Sequence, residues 1–190
     1  DYDKGVESIK ASAKEYSGAF NSNKYLKWLI ANTEDVNIVD YIAEDATTVD
    51  FSGFNLKRIP DLSSFDKIVK VVATNAGLTE FPNGAELPPN MDNIILSKNS
   101  IKELTFENFD KLNQLKVMLA MDNPYTKIDV DKLVNFIKNS ESIFTIGLSP
   151  NEVKNLSNYD EYFGKLSELR KELGSYDFPV IEPFGFDFDD

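Results

Sequence analysis

Met91-Asp92-Asn93-Ile94-Ile95-Leu96-Ser97-Lys98-Asn99-Ser100-Ile101-Lys102-Glu103-Leu104 is the stretch on which the reading of this chain turns. Ile94 and Leu96 have the period of two expected for a strand, with Ile95 on the opposite side. Ile101 and Leu104 then bring the chain back inward. Working outward, the phrase recurs around Val49-x-Phe51, Val71-x-Ala73, Met118-x-Ala120 and Ile146-x-Leu148. The offsets between successive copies, counted from Val49, Val71, Ile94, Met118 and Ile146, are 22, 23, 24 and 28 residues. No single copy can bury such an apolar face alone, whereas stacked copies share one continuous core.

The segments between copies differ. Val130, Leu133, Val134 and Ile137 have helical spacing, as do Phe106, Phe109 and Leu112. Ile59-Pro60, Phe81-Pro82 and Pro88-Pro89 mark extended chain with little helix. Before the first copy, Val6, Ile9, Ala13 and Tyr16 form one helical stripe that Gly18 ends. Tyr25, Leu26, Trp28, Leu29 and Ile30 form another, with Trp28 expected to pack in the core. After the last copy, Leu156, Tyr159, Tyr162, Phe163, Leu166, Leu169 and Leu173 predict a helix that Gly174 stops.

The phrase resembles the leucine-rich repeat family, whose pattern is Leu-x-x-Leu-x-Leu-x-x-Asn-x-Leu at 20 to 29 residues per repeat. The resemblance covers about 105 of the 190 residues. Asn99, Asn123 and Asn151 hold the Asn position, while Phe54 and Ala76 depart from it. It implies an α/β solenoid with a short parallel sheet on the concave face and a mixed helical and irregular convex side. The organisation expected is a helical N-terminal cap over 1–45, about five repeats over 46–154, a capping helix over 155–174 and an aromatic, acidic tail over 175–190.

That fold would place Val72, Ile95 and Leu119 on the concave face, with Val117 and Met121 beside them. An exposed apolar stripe needs a reason. The expected function is non-catalytic recognition or scaffolding, with a protein or peptide bound there and Thr74, Ser97, Lys98 and Asn93 as polar surround. A lid formed by the tail and a plain strand preference are the competing explanations of the stripe. Envelope or carbohydrate adhesion is a second function, although the concave columns lack aromatics. A structural segment of a larger surface protein is a third.

Composition narrows the chemistry. The chain has no cysteine and no histidine, which removes disulfides, thiolate nucleophiles, imidazole bases and the usual zinc ligand sets. A net charge of −12 offers no footprint for nucleic acid. No apolar run is long enough to span a bilayer. No cofactor, metal site or catalytic residue is expected. Asp50 is the one carboxylate to name for acid–base work, and Asp40, Glu44 and Asp45 or Asp187, Asp189 and Asp190 are the groups to name for calcium. The chain begins at Asp1 rather than Met, which suggests a processed chain and makes the lack of a leader here uninformative; a secreted or cell-surface location is expected, with the cytoplasm left open.

Overall fold

Short strands stand at each period-two pair of the repeated phrase. The computed structural model describes residues 2–15, 23–33, 36–174 and 178–181. In chain order the strands are β1 (Thr48–Asp50), β2 (Lys70–Val72), β3 (Asn93–Ile95), β4 (Glu103–Leu104), β5 (Val117–Leu119), β6 (Lys127–Ile128), β7 (Thr145–Gly147) and β8 (Val180–Ile181). The helices are α1 (Tyr2–Glu15), α2 (Lys24–Asn32), α3 (Val130–Asn139), α4 (Pro150–Lys154) and α5 (Tyr159–Leu173).

Two discrete parallel sheets result. One has six strands in the order β1-β2-β3-β5-β7-β8, and the other pairs β4 with β6. In the larger sheet Val49 pairs with Val71, Val71 with Ile94, Ile94 with Met118 and Met118 with Ile146. All five of these centre residues are fully buried. The alternating side chains of a strand make this arrangement: one residue per strand enters the core and its two neighbours face away.

The architecture is a mixed α/β domain with two separate sheets, and it corrects the expectation of a curved leucine-rich repeat solenoid. A solenoid bends when its backs are spaced more widely than its strands. Here Glu103 pairs with Lys127 and Leu104 with Ile128, so two return segments are held at the same strand spacing as the front. Elsewhere the backs are brief 3₁₀ turns at Gly84–Glu86 and Phe109–Lys111 and, before β7, the helix α3. Phe81, Phe106, Phe109 and Phe136 fill the space behind, with ring centroids 4.9 to 6.5 Å apart. Among the described residues no concave repeat face is formed.

The fifth copy also departs from the phrase. Asn151 was to sit in the Asn position, but it lies exposed within α4. Pro150 explains this: its fixed φ and missing N–H suit the first turn of a helix. The sheet is completed instead by β8, which comes from the tail and pairs with β7. Gly18 lies outside the described residues.

Asn99 and Asn123 tie successive turns together. Asn99 Nδ2 donates to the carbonyls of Ala73 (2.7 Å) and Leu96 (2.9 Å), and its Oδ1 accepts from the N–H groups of Ala76 and Leu78. Asn123 Nδ2 donates to Leu96 O at 3.0 Å, and its Oδ1 accepts from Ile101 N–H at 3.2 Å. Asn123→Ala would strip partners from buried backbone groups. It is expected to destabilise by about 2–4 kcal/mol, measured by urea unfolding. A loss below about 0.5 kcal/mol would show that these groups find other partners.

Candidate functional site

The nine residues expected to contact a partner lie along or just beyond β2, β3 and β5. Val72, Ile95, Leu119, Val117, Met121, Thr74 and Asn93 are half-buried, Lys98 is exposed and Ser97 is buried. The apolar members cover one another across the strands. Leu119 leans over Gly147, where an added Cβ would come within 2.9 Å of Leu119 Cδ2. None of them belongs to the exposed large hydrophobic side chains among the described residues. The stripe is therefore side-by-side packing on a sheet without concavity, and the expected mode of recognition on a concave face is corrected.

Exposed apolar surface lies elsewhere. Tyr25 is 74% exposed and Trp28 59% exposed, three residues apart on α2. The expectation that Trp28 packs in the core is overturned. Helical geometry supplies the cause. Leu26 and Leu29 share the inward face and are completely buried, so at 100° per residue Trp28 and Lys24 point away from it. Asn23 caps the helix, its Oδ1 accepting from Leu26 N–H at 3.0 Å. α2 carries Lys24 and Lys27 and no carboxylate. Lys27 Nζ lies 5.5 Å from the centre of the Phe54 ring, which ties the helix to the turn after β1. Among the described residues no helix is long and apolar enough to cross a membrane.

The carboxylates do not gather into a metal site: among the described residues no three such groups come together. Asp40, Glu44 and Asp45 line a cleft of about 880 Å³ that they share with Lys10, Lys14 and Lys67. Asp187, Asp189 and Asp190 lie outside the described residues. Asp50 Oδ1 accepts from Ser52 N–H at 2.9 Å, which is a turn contact next to β1.

Sequence reasoning missed Glu152. It lies in α4 against the turn after β5, with Oε2 buried and without a hydrogen-bond partner. Burial, with Asp122 adding repulsion, pushes its carboxyl up to about 7, against the opposing pull of the Asn123 and Asp122 amides and the Ser149 hydroxyl. Tyr125 beside it is buried and donates its hydroxyl proton to Ala120 O at 2.5 Å. Burial and then the Glu152 charge push that hydroxyl far above its ordinary value. Nothing in the spacing around Glu152 marks it, because its partners come from a turn some 30 residues earlier.

No family model matches the chain, and no curated protein matches it. The two separate parallel sheets overturn the leucine-rich repeat assignment. The recurring phrase describes which residues are buried, a property any stack of short parallel strands shares.

Glu152 gives stability a definite pH dependence. Its carboxyl moves from an ordinary 4.5 to about 7 on folding, so the native state holds this proton more tightly. The contribution is full below pH 4.5, is lost as pH rises toward about 7, and stays lost above it. Glu152→Gln is expected to flatten that slope and to stabilise the fold at pH 8 by about 1 kcal/mol, after allowance for solvent screening. Urea midpoints at pH 5 and pH 8 check this; an unchanged difference between the two would assign the slope to other groups.

Proposed function

We propose that the protein is a binding domain without catalytic activity of its own, and that it takes a protein or peptide partner on the outward face of α2. The observation that carries this reading is the exposure of Tyr25 and Trp28 on a helix whose inner face is already complete. Tyrosine and tryptophan combine large apolar area with a polar tip and few rotatable bonds, and they dominate the energetic centres of interfaces. Lys24 beside them favours a partner segment that brings a carboxylate with its apolar anchor.

Trp28 is the sole tryptophan of the chain, so its fluorescence reports the face directly. The emission of the free protein is expected to be that of a solvated indole, and to shift to the blue when a partner captured by crosslinking in the native extract is titrated in. Trp28→Ala and Tyr25→Ala are expected to keep the circular dichroism of the parent and to weaken that complex by tenfold or more, as truncation of a central anchor does. Undiminished affinity in both variants would move the partner off α2.

A further inference from the structure

We propose that the residues standing just before the strands of the large sheet form a self-association surface, on which a second copy of the chain docks about a two-fold axis that passes between Asp92 and Lys116. The inference is independent of the reading of α2.

Thr47, Val69, Asp92, Lys116 and Phe144 each precede a strand: β1, β2, β3, β5 and β7 in turn. Backbone hydrogen bonds align them in one row. Val69 N–H donates to Thr47 O at 2.8 Å, Asp92 N–H to Val69 O at 2.9 Å, Lys116 N–H to Asp92 O at 2.8 Å and Phe144 N–H to Lys116 O at 3.0 Å. Neighbours in the row are one strand spacing apart, about 4.8 Å, so Val69 and Phe144 stand about 14 Å apart. Four large hydrophobic residues are exposed among the described residues. Two lie on α2. The other two are Val69, 40% exposed, and Phe144, 60% exposed, at equal distances from the middle of this row. Between them Lys116 is exposed and Asp92 half-buried. Among the described residues neither charge enters an ion pair.

The order of the row selects the occupant. From Val69 to Phe144 it reads apolar, acid, base, apolar, which is its own complement when reversed. A two-fold axis across the row, midway between Asp92 and Lys116, sets Lys116 of each copy against Asp92 of the other and Phe144 against Val69. The same residues then serve both sides, as an isologous dimer requires. An axis along the row would instead set Asp92 against Asp92 and Lys116 against Lys116, which like-charge repulsion opposes. A partner of another sequence would have no need of this symmetry. The row is short, so the contact falls below the standard interface size and the dimer forms only as concentration rises.

The test is sedimentation velocity of the full chain across a concentration series. It is run at about 0.15 M salt, where repulsion between copies of net charge −12 is screened beyond about 8 Å. The expected result is a monomer that passes into a dimer and no further. Phe144→Ser, Lys116→Asp and Asp92→Lys should keep the circular dichroism of the parent and each weaken the dimer tenfold or more, whereas Trp28→Ala should leave it unchanged. The decisive arm is a mixture. Lys116→Asp and Asp92→Lys each meet like charges in their own dimers, but a pair made of one of each restores both contacts between acid and base. An equimolar mixture should therefore recover the dimer that neither variant forms alone. A monomeric mass for the parent at every concentration overturns the proposal, as does growth beyond the dimer, or a dimer that persists in both Phe144→Ser and Lys116→Asp. Variants that lose the dimer without recovering it on mixing overturn the two-fold arrangement and the proposal with it. Loss of the dimer in Trp28→Ala alone would place self-association on α2 and also overturns it.

Discussion

Two side-chain amides, Asn123 buried and Asn99 half-buried, hold this fold in register. A strand of three residues makes few ladder bonds, and the turns that follow leave further N–H and C=O groups inside the stack. Asn123, 1% exposed, reaches across to Leu96 O and Ile101 N–H, and Asn99 does the same for the turn before it. Each amide has both donor and acceptor ends, so one residue satisfies groups on two neighbouring turns at once. Where the amide is missing the backbone manages alone: Gly53 N–H donates to Asn75 O, and Leu56 N–H to Ala76 O. At the far end Asn158, at the start of α5, takes up the task, donating to Ile128 O at 2.6 Å. The C-terminal helix is thus joined to the stack by the same chemistry that joins the turns.

With the turns fixed at strand spacing, the back of the molecule decides its shape. Pairing of β4 with β6 holds two return segments at the strand spacing of the front, and the phenylalanine cluster packs behind them. That leaves the outer face of the large sheet to pack on itself, with Leu119 covering Gly147. A surface that satisfies its own apolar area in this way has little left for a partner, which is why the exposed aromatic residues of α2 carry the functional argument.

The sequence exposed the strand centres because burial on one side of a strand leaves a period of two that side-chain chemistry cannot hide, as at Ile94 and Leu96. It did not reveal curvature. Curvature is set by return segments such as Glu103-Leu104 and Lys127-Ile128, which are too short for any periodicity. Asn151 misled for a related reason: it matched the Asn position, while Pro150 before it governed the local structure. Trp28 was hidden by the composition of α2. With Tyr25, Leu26, Trp28, Leu29 and Ile30 nearly contiguous, apolarity alone could not say which side faced in; the two leucines decided it by packing. Glu152 was invisible because its environment is built from Asp122, Asn123 and Ser149, remote from or unremarkable in the linear pattern.

The separation of roles within α2 bears most directly on function. Leu26 and Leu29 anchor the helix, Asn23 caps it, and Lys27 ties it to Phe54. Tyr25 and Trp28 take a minor share in that anchoring, since most of each residue stands in water. Truncating them removes area that folding has left mostly unburied, and such surface changes typically move stability by about 0.5 kcal/mol. Loss of the partner complex in those variants would therefore report on contact alone. The same argument does not hold for the outer face of the sheet: Leu119 and Ile95 are half-buried against their neighbours, so a charge placed there would disturb packing and binding together. Of the two faces, α2 is the one where recognition can be altered without altering the fold that presents it.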